Sequence, residues 1–121
     1  MKQYKDQGYT HLNHGDAIGA DAIAHDMAVE LGLEIIIHPP DNPTYRANRT
    51  TGNVTIRPED QYKIRNQTII DNGDVLIALP NTNHEYARSG TWQCVRQGRK
   101  SSIPIIICYP DGRVEREGFP E

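Results

Sequence analysis

Four short apolar runs organise the hydrophobic pattern of this chain. They are THLNHG from Thr10, LEIIIHPP from Leu33, DVLIALP from Asp74 and IPIIICYP from Ile103. The last three are nearly continuous rather than alternating, which is typical of strands covered on both faces of a parallel sheet. The pattern therefore predicts a largely parallel β-sheet.

Three segments between these runs carry helical signals. The first ends at Gly32, which predicts a left-handed C-terminal stop. The second begins near RPEDQYKIRNQTIIDNG, with Pro58 and two carboxylates in its first turn and Gly73 after its end. The third runs from about Ser89 to Arg99, with Ser89 as the expected N-cap. The apolar stripe predicted for the first helix consists of Ala20, Ile23, Ala24, Met27, Ala28 and Leu31.

The alternation of strands and helices is typical of a right-handed α/β fold, and we expect one domain over residues 1–121. YPDGRVERE adds a turn at Asp111 and Gly112 and a short edge strand. Segment 39–57 is predicted to be one loop of about 19 residues, longer than a compact domain uses merely to connect elements, and such loops are usually functional or mobile. This loop carries Tyr45, Arg46, Arg49 and Arg57, opposed only by Asp41.

Composition restricts the class of protein. The formal net charge of −3 argues against a nonspecific nucleic-acid coat, which needs clustered basic charge to displace counterions. No apolar run approaches the roughly 20 residues that a membrane span requires, and MKQYKDQGYT lacks the apolar segment of a secretory signal. We therefore expect a cytoplasmic protein that does not bind membranes. Cys94 and Cys108, outside any CxxC spacing, are expected to be reduced residues near the core.

Polar segments follow three of the predicted strands, at the edge where ligands bind in open parallel sheets. HGDAIGAD leads into the first helix, the arginine-bearing loop follows the second apolar run, and LPNTNHEYARSGT leads into the third helix. Helix N-termini attract anions through their N–H groups and the positive end of the helix dipole. Ordinary capped turns explain HGDAIGAD and SGT about equally well, so the residues alone leave both interpretations open.

Individual residues of these turns suggest roles. Gly15 and Gly19 permit tight backbone geometry and the close approach of a ligand, while Asp16 or Asp21 can cap the helix or bind a sugar hydroxyl. The SGT segment that begins at Ser89 combines small residues with a hydroxyl cap, which suits a phosphate.

Arg65 is the most specific signal in the second helix. It lies three residues after Tyr62 and four before Ile69, on the stripe expected to face the sheet, so its guanidinium needs a partner. That partner is either a structural salt bridge or a ligand phosphate or carboxylate, and we favour the ligand. Asn66, beside it, can read a ribose or a base edge.

Metal binding has little support. His14 and His38 end predicted strands, so a site with Asp16 or Asp41 is conceivable, but no HxH or HExxH spacing accompanies them. We expect neither a metal nor a cofactor.

The remaining histidines differ in their expected roles. His11 and His25 are assigned to ordinary surface or strand positions. His84 and Glu85 lie in the loop before the third helix, where Glu85 is the candidate catalytic base or hydroxyl acceptor.

HGDAIGADAIAHDMAVELGLEIIIHPP, RNQTIIDNGDVLIALP and SGTWQCVRQGRKSSIPIII together resemble the SLOG superfamily over about residues 11–108. This Rossmann-like group includes the lonely-guy phosphoribohydrolases, molybdenum-cofactor carriers, DNA-processing proteins and sensor domains. The chain most resembles a small branch with an HGGAxGAD-type turn. The resemblance implies a three-layer sandwich around a mostly parallel sheet of four to five strands, shortened at its N-terminus. Because so small a sheet leaves apolar surface uncovered, we expect a homo-oligomer.

The resemblance also implies a nucleotide or ribose-phosphate ligand, with its phosphate at the SGT turn. The ligand-binding residues predicted from the resemblance and from the turns are His14, Gly15, Asp16, Gly19, Asp21, Arg46, Arg65, Asn66, Ser89, Gly90 and Thr91. One departure concerns catalysis. Cys94 stands where the phosphoribohydrolases carry the glutamate of PGGxGTxxE, so a hydrolytic carboxylate is missing unless Glu85 replaces it.

Three functions follow from these observations. The first is binding of a nucleotide-derived small molecule, such as an ADP-ribose derivative or a cyclic nucleotide, by a carrier, sensor or sponge. The second is cleavage of the N-glycosidic bond of a nucleoside monophosphate by a hydrolase or transferase, which needs a carboxylate near the anomeric carbon. The third is single-stranded nucleic acid binding through Tyr45, Arg46, Arg49 and Trp92, which the net acidity makes the weakest.

Overall fold

The computed structural model describes residues 8–16, 19–44, 46–87 and 89–119, and within them the chain has an α/β fold. The contacts divide the chain into two compact units, Met1–Arg65 and Asn66–Glu121. The strands are β1 (His11–His14), β2 (Glu34–Ile37), β3 (Val54–Ile56), β4 (Leu76–Ala78), β5 (Ile105–Cys108) and β6 (Val114–Glu117). The helices are α1 (Ala20–Leu31), α2 (Tyr62–Asp71) and α3 (Gly90–Lys100).

The first unit is built on a parallel sheet of order β1-β2-β3. Ile35 and Ile37, on one face of β2, are buried and form a core with Leu33 and with Ala28 of α1. Strand β3 lies inside segment 39–57, so the prediction of one uninterrupted loop there is wrong. The strand has three residues, two of them exposed, and it depends on backbone pairing with β2 rather than on a hydrophobic pattern of its own.

Helix α1 has its predicted end but a different buried face. Gly32 adopts the left-handed conformation with φ of 71°, and its N–H donates to the carbonyls of the last turn. The buried residues are Ala22, His25 and Ala28, whereas Ile23 and Met27 of the predicted stripe are 62% and 44% exposed. Hydrophobicity alone mislocated this face, because the helix buries short alanines and a histidine whose ring nitrogens both have hydrogen-bond partners.

The second unit contains a sheet of order β4-β5-β6, parallel between β4 and β5 and antiparallel between β5 and β6. As its continuous apolar run predicts, β5 is buried along Ile105–Ile107. The predicted turn and edge strand are confirmed, with Gly112 at φ of 91° before β6. The core residues are Ala78, Trp92, Val95, Ile105 and Ile107.

Helix α2 begins later than the sequence predicts. The residues from Pro58 to Gln61 precede the helix, and its first turn holds no acidic residue. Asp60 instead forms an isolated parallel bridge with Pro40, in which the Asp60 N–H donates to the Pro39 carbonyl and the Asp60 carbonyl accepts from the Asp41 N–H. Backbone pairing with the segment after β2 therefore replaces the predicted first turn.

Two three-stranded sheets make up the β structure of the described residues, and no sheet of four or five strands occurs among them. The α/β class and the largely parallel pairing in the first unit are as predicted. None of the helices in the described ranges has the length and hydropathy that a bilayer crossing requires.

The C-terminal stop of α1 provides a test of local backbone strain. A Cβ atom added at Gly32 meets nothing within 4 Å, so Gly32→Ala should act only through the positive φ. We expect this change to lower the free energy of unfolding by about 1 kcal/mol, and Gly32→Asn to lower it by less. Urea unfolding of the three proteins measures this. Equal stability of the alanine variant would contradict the assigned conformation.

Candidate functional site

Buried polar side chains concentrate at the carboxyl ends of β1 and β2 in the first unit. We call this group the carboxyl-edge network: His14, Asp16, His25, His38 and Arg65, each at most 4% exposed. Ionisable side chains are rarely buried this completely unless they are paired. The partners of each member therefore decide what the network does.

Two histidines form a directional chain of hydrogen bonds. The Asp16 N–H donates to Nδ1 of His14 over 2.9 Å, and Nε2 of His14 lies 2.9 Å from Nδ1 of His25. Nε2 of His25 lies 2.8 Å from the Thr51 carbonyl oxygen, which can only accept. His25 must therefore carry its proton on Nε2 and accept at Nδ1 from His14. All three hydrogen bonds have a donor and an acceptor when both rings are neutral with the proton on Nε2.

The charge state of His14 agrees with this assignment. Burial lowers the pKa of His14, because a charged imidazolium loses its hydration there. The carboxylates of Asp21 and Asp16 oppose the shift, whereas His25 and Arg65 reinforce it. His14 is therefore held neutral at neutral pH.

His38, just after β2, is also neutral. Its Nε2 donates to the side-chain oxygen of Asn13 over 2.9 Å, which ties the end of β2 to β1. Burial lowers the pKa of His38 to about 4, and the positive charges of Arg57 and Arg65 and the ring of His14 act in the same direction.

Asp16 joins the turn after β1 to the segment after β2. It adopts a positive φ of 58° and is 1% exposed. Its carboxylate accepts from Nε of Arg46 over 2.7 Å and from the Asn48 N–H over 2.9 Å, and its carbonyl accepts from the Ala47 N–H. The structure thus brings together two predicted ligand-binding residues, Asp16 and Arg46, as partners of each other.

Arg65 is held by backbone carbonyls. Its Nη1 donates to the carbonyl of Gly15 and, over 3.3 Å, to that of His38. A Cβ atom at Gly15 would lie 2.7 Å from the guanidinium carbon of Arg65, so a larger residue at this position would require the guanidinium to shift. Arg65 is therefore the group that closely approaches Gly15. The sequence favoured a ligand in both places, next to Gly15 and as the partner of the Arg65 guanidinium. We assign Arg65 as a positioning residue.

The start of α1 lies beside the same turn. Gly19 is the N-cap, with φ of 89° and no side-chain cap. Asp21 turns back, and its carboxylate accepts from the Gly15 N–H over 3.2 Å, so it anchors the turn after β1. Tyr45, predicted to stack on nucleic acid bases, lies outside the described residues.

The second unit contains the predicted phosphate turn. Oγ of Ser89 accepts from the Trp92 N–H over 3.3 Å, which confirms the N-cap. The N–H groups of Gly90 and Thr91 meet no acceptor among the described residues, and the first turn of α3 carries no acidic side chain. Trp92 is 1% exposed within the core, so its predicted role in stacking on bases is wrong.

Glu85 is engaged in ion pairs. Its carboxylate lies 3.0 Å from Nη1 of Arg96 and 2.9 Å from Nη1 of Arg99. The hydrogen bond from Arg99 lowers the pKa of Glu85, with Arg96 adding to the effect, so this carboxylate is a weak base. Asn66, the other predicted residue of the second unit, is buried in α2.

His25 is the member of the network that the sequence pattern does not predict, since this pattern assigns it to an ordinary surface or strand position. A visible signal was its place three residues from both Ala22 and Ala28, the short residues that α1 buries. Among the described residues, no group of three or more His, Cys, Asp or Glu side chains has the arrangement to hold a metal ion.

No family model, curated protein or solved structure matches the chain. The resemblance to the SLOG superfamily therefore stays a prediction.

Removal of the Arg65 guanidinium should destabilise the fold. Arg65→Ala leaves the carbonyls of Gly15 and His38 without this donor, and we expect a loss of about 2–4 kcal/mol in the free energy of unfolding. Arg49→Ala is the matched control, because its ion pair with Asp26 is exposed and should contribute at most about 1 kcal/mol. Urea unfolding measures both. Comparable small losses would contradict the positioning role of Arg65.

Acidification should weaken the fold through His38. The pKa of His38 is about 4 in the folded state and about 6.5 in the unfolded chain. The stability that neutral His38 contributes is therefore fully present above pH 6.5 and is lost as the pH falls from 6.5 to 4. The contribution of His38 to this loss is at most about 3 kcal/mol.

His38→Gln tests the pH dependence, since its amide nitrogen can replace Nε2 as the donor to Asn13 without titrating. Urea unfolding across this pH range should give a flatter profile, with the remaining slope arising partly from His14. His11→Gln, at an exposed position, is the control. An unchanged slope in His38→Gln would contradict the assignment.

Proposed function

We propose that this chain binds a nucleotide-derived small molecule of the ribose-phosphate or ADP-ribose type, as a carrier, sensor or sponge. The ligand lies at the carboxyl ends of β1 and β2, beside the start of α1. The observation that supports this location is the carboxyl-edge network itself. In open α/β sheets this edge is where ligands bind.

The energetic cost of the network supports a functional role. Apolar side chains of similar size often stabilise a core as well as buried ionic groups do, or better. Here the turn after β1 is fixed by His14, Asp16 and Arg65 through hydrogen bonds to backbone groups. Such fixed turns lose little conformational entropy when a ligand binds.

The start of α1 supplies anion affinity at the same edge. Its N-cap is Gly19, which offers no side-chain acceptor to the first N–H groups of the helix. These groups and the positive end of the helix dipole suit a phosphate, while the Asp21 carboxylate of the same turn accepts from the Gly15 N–H. In the second unit the Ser89–Thr91 turn stays a predicted phosphate site. The single sheet of four to five strands, the Rossmann-like sandwich and the homo-oligomer also stay predictions.

Binding is favoured over hydrolysis by the state of the carboxylates. Cleavage of an N-glycosidic bond needs a carboxylate directed at the sugar. The two oxygens of the Asp16 carboxylate are occupied by Arg46 and by the Asn48 N–H. Arg99 and Arg96 lower the pKa of Glu85, so this carboxylate is a weak base.

The ligand can be identified from the protein itself. Native mass spectrometry of protein purified from cells, followed by denaturation, should release a phosphorylated nucleotide derivative. Calorimetric titration with AMP, ribose 5-phosphate and ADP-ribose then measures affinity. Analysis of the AMP and ADP-ribose mixtures for free base detects turnover. Release of free base would favour the hydrolase, and no binding by any of these compounds or by the released molecule would contradict the proposal.

Ala20→Glu tests the position of the phosphate. Ala20 is exposed in the first turn of α1, where a carboxylate suits the helix dipole but repels an anion. We expect about a tenfold loss of affinity, equivalent to about 1.4 kcal/mol, without a decrease of the thermal midpoint. Met27→Glu adds the same charge to an exposed site further along the helix and is the control. Equal effects of the two variants would contradict this position.

A further inference from the structure

We propose that Arg46 is an oxyanion-binding residue whose guanidinium is oriented by the buried carboxylate of Asp16. The inference rests on the proposed function, because it assigns the anionic group of the ligand a side-chain partner at the edge where the ligand binds.

The contacts of Arg46 leave most of its donors available. The guanidinium meets Asp16 through Nε alone, over 2.7 Å, and its side chain is 23% exposed. Nη1 and Nη2 of Arg46 meet no partner among the described residues. Two nitrogens in one plane, each with two N–H groups, form the fork that matches a phosphate or carboxylate.

Two neighbouring arginines provide a contrast. Arg49 meets Asp26 through both Nε, over 3.2 Å, and Nη2, over 3.4 Å, so one edge of its guanidinium is occupied by an exposed carboxylate. Arg65 is buried, and its Nη1 donates to backbone carbonyls. Of these three side chains, Arg46 combines a buried anchor with terminal nitrogens that meet no partner in the described part of the chain.

The anchor of Arg46 is fixed from several directions. The second carboxylate oxygen of Asp16 accepts from the Asn48 N–H, and the Asp16 carbonyl accepts from the Ala47 N–H. The Asp16 N–H is bound by His14. Because these contacts fix both the carboxylate and the backbone that carries Arg46, the guanidinium loses little freedom when it binds an anion.

A purely structural role would be to neutralise Asp16. Lysine supplies the same positive charge, so charge neutralisation alone would tolerate Arg46→Lys. The lysine variant lacks the planar pair of terminal nitrogens and cannot bind an oxyanion at two points. This difference separates the two roles without leaving Asp16 as an uncompensated buried charge, which Arg46→Ala would do.

The test uses the full chain labelled with ¹⁵N, titrated separately with inorganic phosphate and with acetate at constant ionic strength. The readout is the Nε–H signal of Arg46 and the amide signals of Ala47 and Asn48. We expect a saturable shift with one of the anions. Tighter binding of phosphate assigns a phosphoryl group of the ligand to this residue, and tighter binding of acetate assigns a carboxylate.

The variants decide the outcome. Arg46→Lys should retain the thermal midpoint but weaken anion binding at least fivefold. Arg49→Ala, in the same segment before β3, should change the anion affinity less than twofold. Wild-type anion affinity in Arg46→Lys, or equal weakening by Arg49→Ala, would overturn the inference.

Failure of this inference is distinguishable from failure of the proposed function. The nucleotide panel used above is repeated with Arg46→Lys. Unchanged nucleotide affinity in this variant overturns the role of Arg46 alone. Saturable anion binding at Arg46 without any nucleotide binding supports the role of Arg46 and overturns the proposed function alone.

Discussion

The buried carboxylate of Asp16 requires donors, and the contacts that supply them organise the carboxyl edge of the first sheet. Its two oxygens take one donor from the Arg46 side chain and one from the Asn48 backbone, both from the segment that follows β2. Its own N–H engages His14, which continues through His25 to the Thr51 carbonyl. A single ionised group thus connects β1, α1 and the segment before β3, because an unpaired buried charge costs too much free energy to persist.

The same requirement explains the residue types around the turn. Gly15 leaves the space that the Arg65 guanidinium fills, and the left-handed backbone of Asp16 directs its carboxylate and carbonyl to the segment after β2. Most polar groups at this edge therefore satisfy one another. Among the described residues of this edge, the proposed ligand would meet the glycine-capped start of α1 and the terminal nitrogens of Arg46. The proposed binding at this edge therefore depends on preorganisation more than on the number of charged residues.

Several elements could be predicted because their signals are local. Gly32 ends α1, Ser89 caps α3, and the turn at Asp111 and Gly112 precedes β6. Strand β3 could not be predicted, because two of its three residues are exposed and its pairing partner is distant in sequence. Of the candidate site, the turn after β1 and the burial of Arg65, with its need for a partner, followed from the sequence. The partners of Arg65 did not, since Gly15 is 50 residues away along the chain.

Most helices and strands follow from local signals of the sequence, namely apolar runs, caps and glycines whose effects extend over one turn. The sequence also identifies the residue types whose burial costs the most desolvation free energy. Which of these residues are buried and paired depends on the folded chain: His25 is buried whereas Ile23 is exposed, and Arg46 meets Asp16 from 30 positions away. The physical reason is that local propensity acts between chain neighbours, whereas the desolvation of a polar group and the partner that offsets it depend on segments brought together by the sheet.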